Sequence, residues 1–117
     1  MLNSQKKLYA LGRLKSGEMN KSEAAYAQHL EQLKSAGEIL WYKFEAVTLK
    51  LAKDTRYTPD FVVMSKNCGL ELHEVKGFWQ DDAKAKIKVA ASLFPFRFIA
   101  VFIRTKKEGG GWRTEEF

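Results

Sequence analysis

Asp60, in the segment YTPDFVVM, and Glu74 with Lys76, in LELHEVKGFW, are the residues of this chain whose types and spacing most suggest chemistry; thirteen residues separate the two acids. Both acids stand in stretches that otherwise read as buried strand, where an ionised carboxylate is costly unless it is paired or coordinates a metal. A strand sends alternate side chains to the same face, so Glu74 and Lys76 emerge together while Val75 turns into the core. If the strand beginning at Asp60 pairs with the strand carrying Glu74, two carboxylates and one ammonium meet on one surface. Hard oxygen donors with open coordination positions suit Mg²⁺ shared with a substrate phosphate. The chemistry this predicts is metal-assisted phosphodiester cleavage. Plainer readings compete with it: Asp60 as a turn residue after Pro59, and Glu74 with Lys76 as an exposed cross-strand charge pair. The direct continuation into FVVM weighs against the first. The second would turn His73 and Val75 inward together.

Several elements must position these residues. NKSEAAYAQHLEQLKSAG has a helix start at Asn20 or Ser22 and a stop at Gly37, with Ala25, Tyr26, Ala27, Leu30 and Leu33 as its apolar stripe. Ile39 to Leu51 is rich in aromatic and β-branched residues and reads as strand. AKDTR turns into a second strand, Tyr57–Met64, and SKNCG turns into a third, Leu70–Lys76. Asp81 or Asp82 caps a second helix running through Ser92, with Ala83, Ile87, Ala90, Ala91 and Phe94 on its apolar face; Pro95 ends it. FRFIAVFIR is a near-continuous apolar run, as expected of a strand buried on both faces and joined to the third strand by a parallel crossover. The order is α-β-β-β-α-β, an α/β fold. Residues 1–19 read as an arm and 105–117 as a tail folded back through Trp112.

At 117 residues the chain has room for one core. No apolar run approaches the ~18 residues of a membrane-spanning helix, and the first residues lack the apolar stretch of a secretory signal. Cys68 is the only cysteine, which excludes an internal disulfide and a thiolate zinc cluster. These features predict a cytoplasmic protein that does not engage a membrane. The net charge of +6 lies within residues 76–107, where eight Lys or Arg stand against two acids. Such clustering is the electrostatic footprint of a nucleic-acid binder, DNA being the expected partner, although a solvated basic helix gives the same count. One edge of the second helix, Lys84 and Lys88 or else Lys86, should contact phosphate, and Gln80 could touch substrate. Lys106, Lys107 and Arg113 are further candidates. Trp41, Trp79 and Trp112 are expected to pack, with Phe78-Trp79 also placed to wedge DNA. His29 is expected to pack or face solvent.

This order, together with Asp60, Glu74 and Lys76, resembles the PD-(D/E)XK nuclease superfamily over residues 20–104. Pro59-Asp60 matches the first half of its signature and Glu74-Val75-Lys76 the second, on consecutive hydrophobic strands. Within the superfamily the pattern looks most like small phage and prophage endonucleases. The resemblance implies a restriction-endonuclease-like αβββαβ core, a central mixed β-sheet flanked by helices. It implies Mg²⁺, replaceable by Mn²⁺, held by Asp60, Glu74 and the Val75 carbonyl, with Lys76 holding or helping deprotonate the attacking water. Many members complete the site with an acid on the first helix, and Glu23 stands at that place. The implied activity is endonucleolytic cleavage of DNA, selective for branched structures as in recombination or replication, with a homodimer as the cutting unit. The alternative is a non-catalytic DNA-binding module or subunit on the same fold, which needs the basic residues and not the acids.

Overall fold

The computed structural model describes residues 17–77 and 81–117. Most of the expected N-terminal arm, and Phe78, Trp79 and Gln80, lie outside these residues. Helix α1 spans Lys21–Ser35 and begins with a reciprocal capping box: the Asn20 side chain accepts from the Glu23 N–H at 2.8 Å, and the Glu23 carboxylate accepts from the Asn20 N–H at 2.9 Å. These two bonds satisfy donors that the first turn would otherwise leave unpaired. Gly37, at φ +80°, turns the chain out of the helix. Tyr26 and Leu30 are buried and Ala27 and Leu33 half-buried, whereas Ala25, expected in the stripe, is exposed because Tyr26 takes the inward direction.

The long strand expected over 39–51 is broken. Strand β1 is Ile39–Phe44 and β2 is Leu49–Ala52, with Glu45 between them in the left-handed region at φ +47°. The next expected strand divides in the same way, into β3 (Thr55–Tyr57) and β4 (Phe61–Ser65). Pro59 lies in this second gap and cannot donate to a ladder. As a result β2 and β3 form a separate two-stranded hairpin. Strand β5 is Leu70–Lys76, helix α2 is Asp81–Leu93 and β6 is Arg97–Ile103; a single 3₁₀ turn at Lys106–Glu108 leads to β7, Trp112–Glu116.

The central sheet is mixed, in the order β1-β4-β5-β6-β7. Only the β5–β6 pair is parallel; the others are antiparallel. Both faces are covered, which explains the apolar run of β6, whose five inner residues are all buried. On one face α1 packs Tyr26 and Leu30 against Phe61, Val63, Val75 and Val101. On the other, Ile87 and Ala90 of α2 meet Leu49 and Tyr57 of the hairpin over Val62, Leu72 and Phe98. Trp112 is half-buried, its ring 5.0 Å from that of Tyr26, and the Arg113 guanidinium lies over Phe102. Trp41, expected to pack, is 40% exposed on the edge strand β1. No described helix is long and apolar enough to cross a membrane.

Candidate active site

The register Phe61↔His73 of the β4–β5 pair places Asp60, one residue before β4, beside Glu74. Each acid is held by the other's strand. The Asp60 N–H donates to Glu74 Oε1 at 3.1 Å, and the Val75 N–H donates to Asp60 Oδ2 at 2.8 Å. The Tyr57 hydroxyl donates to the same Glu74 oxygen at 3.2 Å, and Lys76 Nζ lies 3.3 Å from Glu74 Oε2. The Asp60 carbonyl accepts from the Glu45 N–H at 2.8 Å, so the break after β1 is tied to the peptide that carries the acid. Glu74 is 8% exposed, while the side chain of Lys76 is about one-quarter exposed.

Two carboxylates this close and this buried resist ionisation together. Burial, and next the charge of Glu74, push the Asp60 carboxyl up to about 8; the Val75 N–H and Lys76 pull the other way, and Glu23 adds to the rise. Burial also raises Glu74, opposed by Lys76, the Asp60 N–H and the Tyr57 hydroxyl. Ionised together, the two would carry more negative charge than Lys76 neutralises, so the pair retains a proton until a cation replaces it.

A cleft of about 360 Å³ opens over Glu74 and Lys76, walled by Arg56, Tyr57 and Thr58 of the hairpin side and by Asp82, Ala83 and Lys86 of α2. The α2 edge facing the site is thus the Lys86 edge. Lys86 is exposed and donates to the Arg56 carbonyl at 3.3 Å. Lys84, expected at phosphate, instead sits 3.9 Å from Glu115 of β7, and exposed Lys88 follows it one helical turn later on the same edge. These two lysines are absent from the cleft lining because a helix that turns one edge to the hairpin turns the other to β7. Gln80 lies outside the described residues.

One carboxylate oxygen of Glu23 takes the capping bond to Asn20, and its charge is felt at Asp60. Among the described residues no group of three or more His, Cys, Asp or Glu converges as a metal site. Val75 displays its N–H at the site, bonded to Asp60, with its side chain in the core facing α1. The residues that sequence reasoning overlooked are Tyr57, Arg56, Thr58 and Asp82. Only Tyr57 carried a signal: a tyrosine at the buried end of a strand needs a partner for its hydroxyl.

The donor set fits a hard divalent cation. Mg²⁺ is commonly held by one or two carboxylates and completes its shell with water and substrate phosphate, so a site of this kind does not require a third acid.

On the other face of β5, His73 is buried between the Tyr26 hydroxyl, 2.6 Å from Nδ1, and Glu71 Oε1, 2.9 Å from Nε2. Arg97 donates to Glu71 at 2.7 Å and, through Nε and a terminal nitrogen, to both oxygens of Glu116 at 2.8 Å each. His29 packs with Tyr26 and Trp112, and burial lowers its pKa. No protein-family model matches this chain, and no curated protein matches it.

Proposed function

We propose that the protein is a Mg²⁺-dependent endonuclease that hydrolyses DNA phosphodiester bonds at Asp60, Glu74 and Lys76. The observation that carries this reading is the reciprocal clamp of Asp60 and Glu74, with Lys76 3.3 Å from Glu74, at a cleft lined by Lys86 and Arg56. Asp60 and Glu74 would hold the cation, and the Val75 carbonyl is a further oxygen within the same strand. A cation held there supplies charge neutralisation at the phosphate and eases loss of a proton from the attacking water. Lys76 offers an ammonium to a non-bridging phosphate oxygen, or to the water, from a fixed position on β5. Tyr57 keeps the Glu74 carboxylate oriented, and Asp60 is oriented by the Val75 N–H. Lys86 and Arg56 bind the flanking phosphates through charge, which positions a strand without reading its sequence. Little surface remains for base-edge contacts, so recognition rests on DNA shape, branched DNA included. Cutting of two strands would call on a second copy of the chain.

The Lys76–Glu74 ion pair supports a second reading, in which the ammonium already satisfies the carboxylate and the chain binds DNA without cutting it. One assay separates the two: linear, flapped, four-way and single-stranded DNA, each with Mg²⁺, Mn²⁺ or EDTA. Metal-dependent cutting is expected. Asp60→Asn, Glu74→Gln and Lys76→Ala should each reduce it by about a hundredfold or more, in line with the loss of a metal ligand or an electrostatic stabiliser, and leave DNA affinity nearly unchanged. Cutting at the wild-type rate by any one of the three overturns the assignment.

A further inference from the structure

A second cleft, of about 560 Å³, opens at the same end of the sheet, where β1 stops. Its lining includes Met19, Lys43, Phe44, Thr48 and Thr58, and Thr58 also lines the cleft over Glu74 and Lys76. The two clefts are thus neighbours. They are also mechanically tied, because Glu45, in the wall of the second, donates its N–H to the Asp60 carbonyl at 2.8 Å.

The chemistry of this wall is mixed in a particular way. Phe44 is half-buried, packed against the core with its ring 5.3 Å from that of Phe61, and Met19, 37% exposed, lines the same cleft. Lys43 is exposed and cationic. The hydroxyls of Thr48 and Thr58 lie 2.7 Å apart, a pair of hydrogen-bonding groups on the side toward the metal-site acids. The acidic group in the wall, Glu45, already accepts from the Gly17 N–H at 2.9 Å. An aromatic ring with an apolar neighbour, a single cation and a pair of hydroxyls match the three parts of a nucleotide: base, phosphate and sugar. The volume falls within the ~300–1,000 Å³ typical of small-molecule sites.

We propose that this second cleft is a subsite for one unpaired nucleotide of the strand being cut, next to the scissile phosphate. A base stacked in duplex has its faces covered and cannot reach Phe44, whereas an unpaired base offers a free face for stacking. A site built only to track phosphates has no need of the Phe44–Met19 wall. The preferred substrate is therefore DNA with a single-stranded segment at the cut, such as a flap, a gap or a free single strand. This rests on the nuclease reading for the identity of the neighbouring site, but its test does not depend on cutting.

The experiment uses the full chain carrying Asp60→Asn, in EDTA and at one salt concentration. Fluorescence anisotropy compares a single-stranded oligonucleotide with the blunt duplex of the same sequence. A 2-aminopurine moved along the single strand reports which base is stacked. The single strand should bind about tenfold more tightly than the duplex, the contribution of one stacked base, and one 2-aminopurine position should be quenched. Lys43→Glu and Met19→Glu, both at exposed positions, should each remove that preference and the quenching. Lys66→Glu, in the turn at the far end of β4, makes the same charge change and should leave both intact. Equal affinity for the two DNAs, or a preference that survives Lys43→Glu and Met19→Glu, overturns the subsite. If the preference behaves as expected but no metal supports cutting by the wild-type chain, the subsite stands and the nuclease reading falls. If the chain cuts but Lys43→Glu and Met19→Glu leave its choice of substrate unchanged, the reverse holds.

Discussion

Glu71 and Glu74 stand on the same strand, three residues apart, on opposite faces of the sheet, and their surroundings push their protons in opposite directions. Glu71 has a hydrogen bond from His73 and an ion pair with Arg97, and these hold its carboxyl below the usual range against the cost of burial. Glu74 has a comparable set of donors, the Asp60 N–H among them, but it is more deeply buried, and burial wins. The difference lies in composition. On the α1 face Glu71 is answered by His73 and by Arg97, which also pairs with Glu116. On the α2 face two acids are answered by Lys76 alone, apart from neutral donors. A carboxylate whose donors outweigh the cost of its burial is structural; a pair whose burial outweighs its donors is a candidate place for a ligand of positive charge.

Metal binding tests that contrast most severely. Calorimetric titration should detect a Mg²⁺ or Mn²⁺ site in the wild-type chain that Asp60→Asn or Glu74→Gln weakens by at least about a hundredfold, while Glu71→Gln changes it by no more than about twofold. A metal site that ignores Asp60 and Glu74 would erase the distinction. Stability should show the opposite ranking. Glu71→Ala leaves His73 and Arg97 without their shared acceptor and should cost about 1–3 kcal/mol in urea unfolding, with Glu71→Gln losing less. Asp60→Asn keeps an acceptor for the Val75 N–H and removes a charge from a crowded pair, so in EDTA it should raise stability by about 1 kcal/mol.

The smallest effect is in the pH dependence, where the two acids should differ in sign. An Asp60 carboxyl that ionises near 3.8 when unfolded and at about 8 when folded costs stability progressively as pH rises between those values. The gain from Asp60→Asn should therefore be near zero at pH 4 and largest at pH 8 and above. Mg²⁺ affinity should rise with pH up to about 8 and then level, because below that value a proton competes for the same oxygens. Glu71, with a lowered pKa, stabilises the fold above 4.5, and that contribution is lost as pH falls below it. Parallel pH profiles for Asp60→Asn and Glu71→Gln would contradict the comparison.

Much of this arrangement was legible in the residues themselves. Alternation along β5 put Glu74 and Lys76 on one side and Val75 on the other, and turn residues between two apolar runs implied the hairpin that brings Asp60 to Glu74. The breaks after Phe44 and before Phe61 are less legible. Pro59 signalled the second, but Glu45 is an ordinary residue for a strand end, and its left-handed backbone is imposed by bonds to Asp60 and Gly17. Glu23 shows how one residue type serves two ends: three positions after Asn20 its acid closes a capping box, and its charge also bears on Asp60.

By itself the sequence determined the local facts, because periodicity, capping and turn chemistry act between residues a few positions apart. It set the two helices, the strands β5 and β6, the pairing of acid with acid, and the basic character of the second half. Which edge of α2 faces the cleft, which tyrosine reaches Glu74, and where the β2–β3 hairpin stands were decided only by tertiary packing. The physical reason is that side chains on either edge of a helix are equivalent until another layer covers one of them. Burial, which raises the pKa of Asp60, likewise exists only once both faces of the sheet are covered.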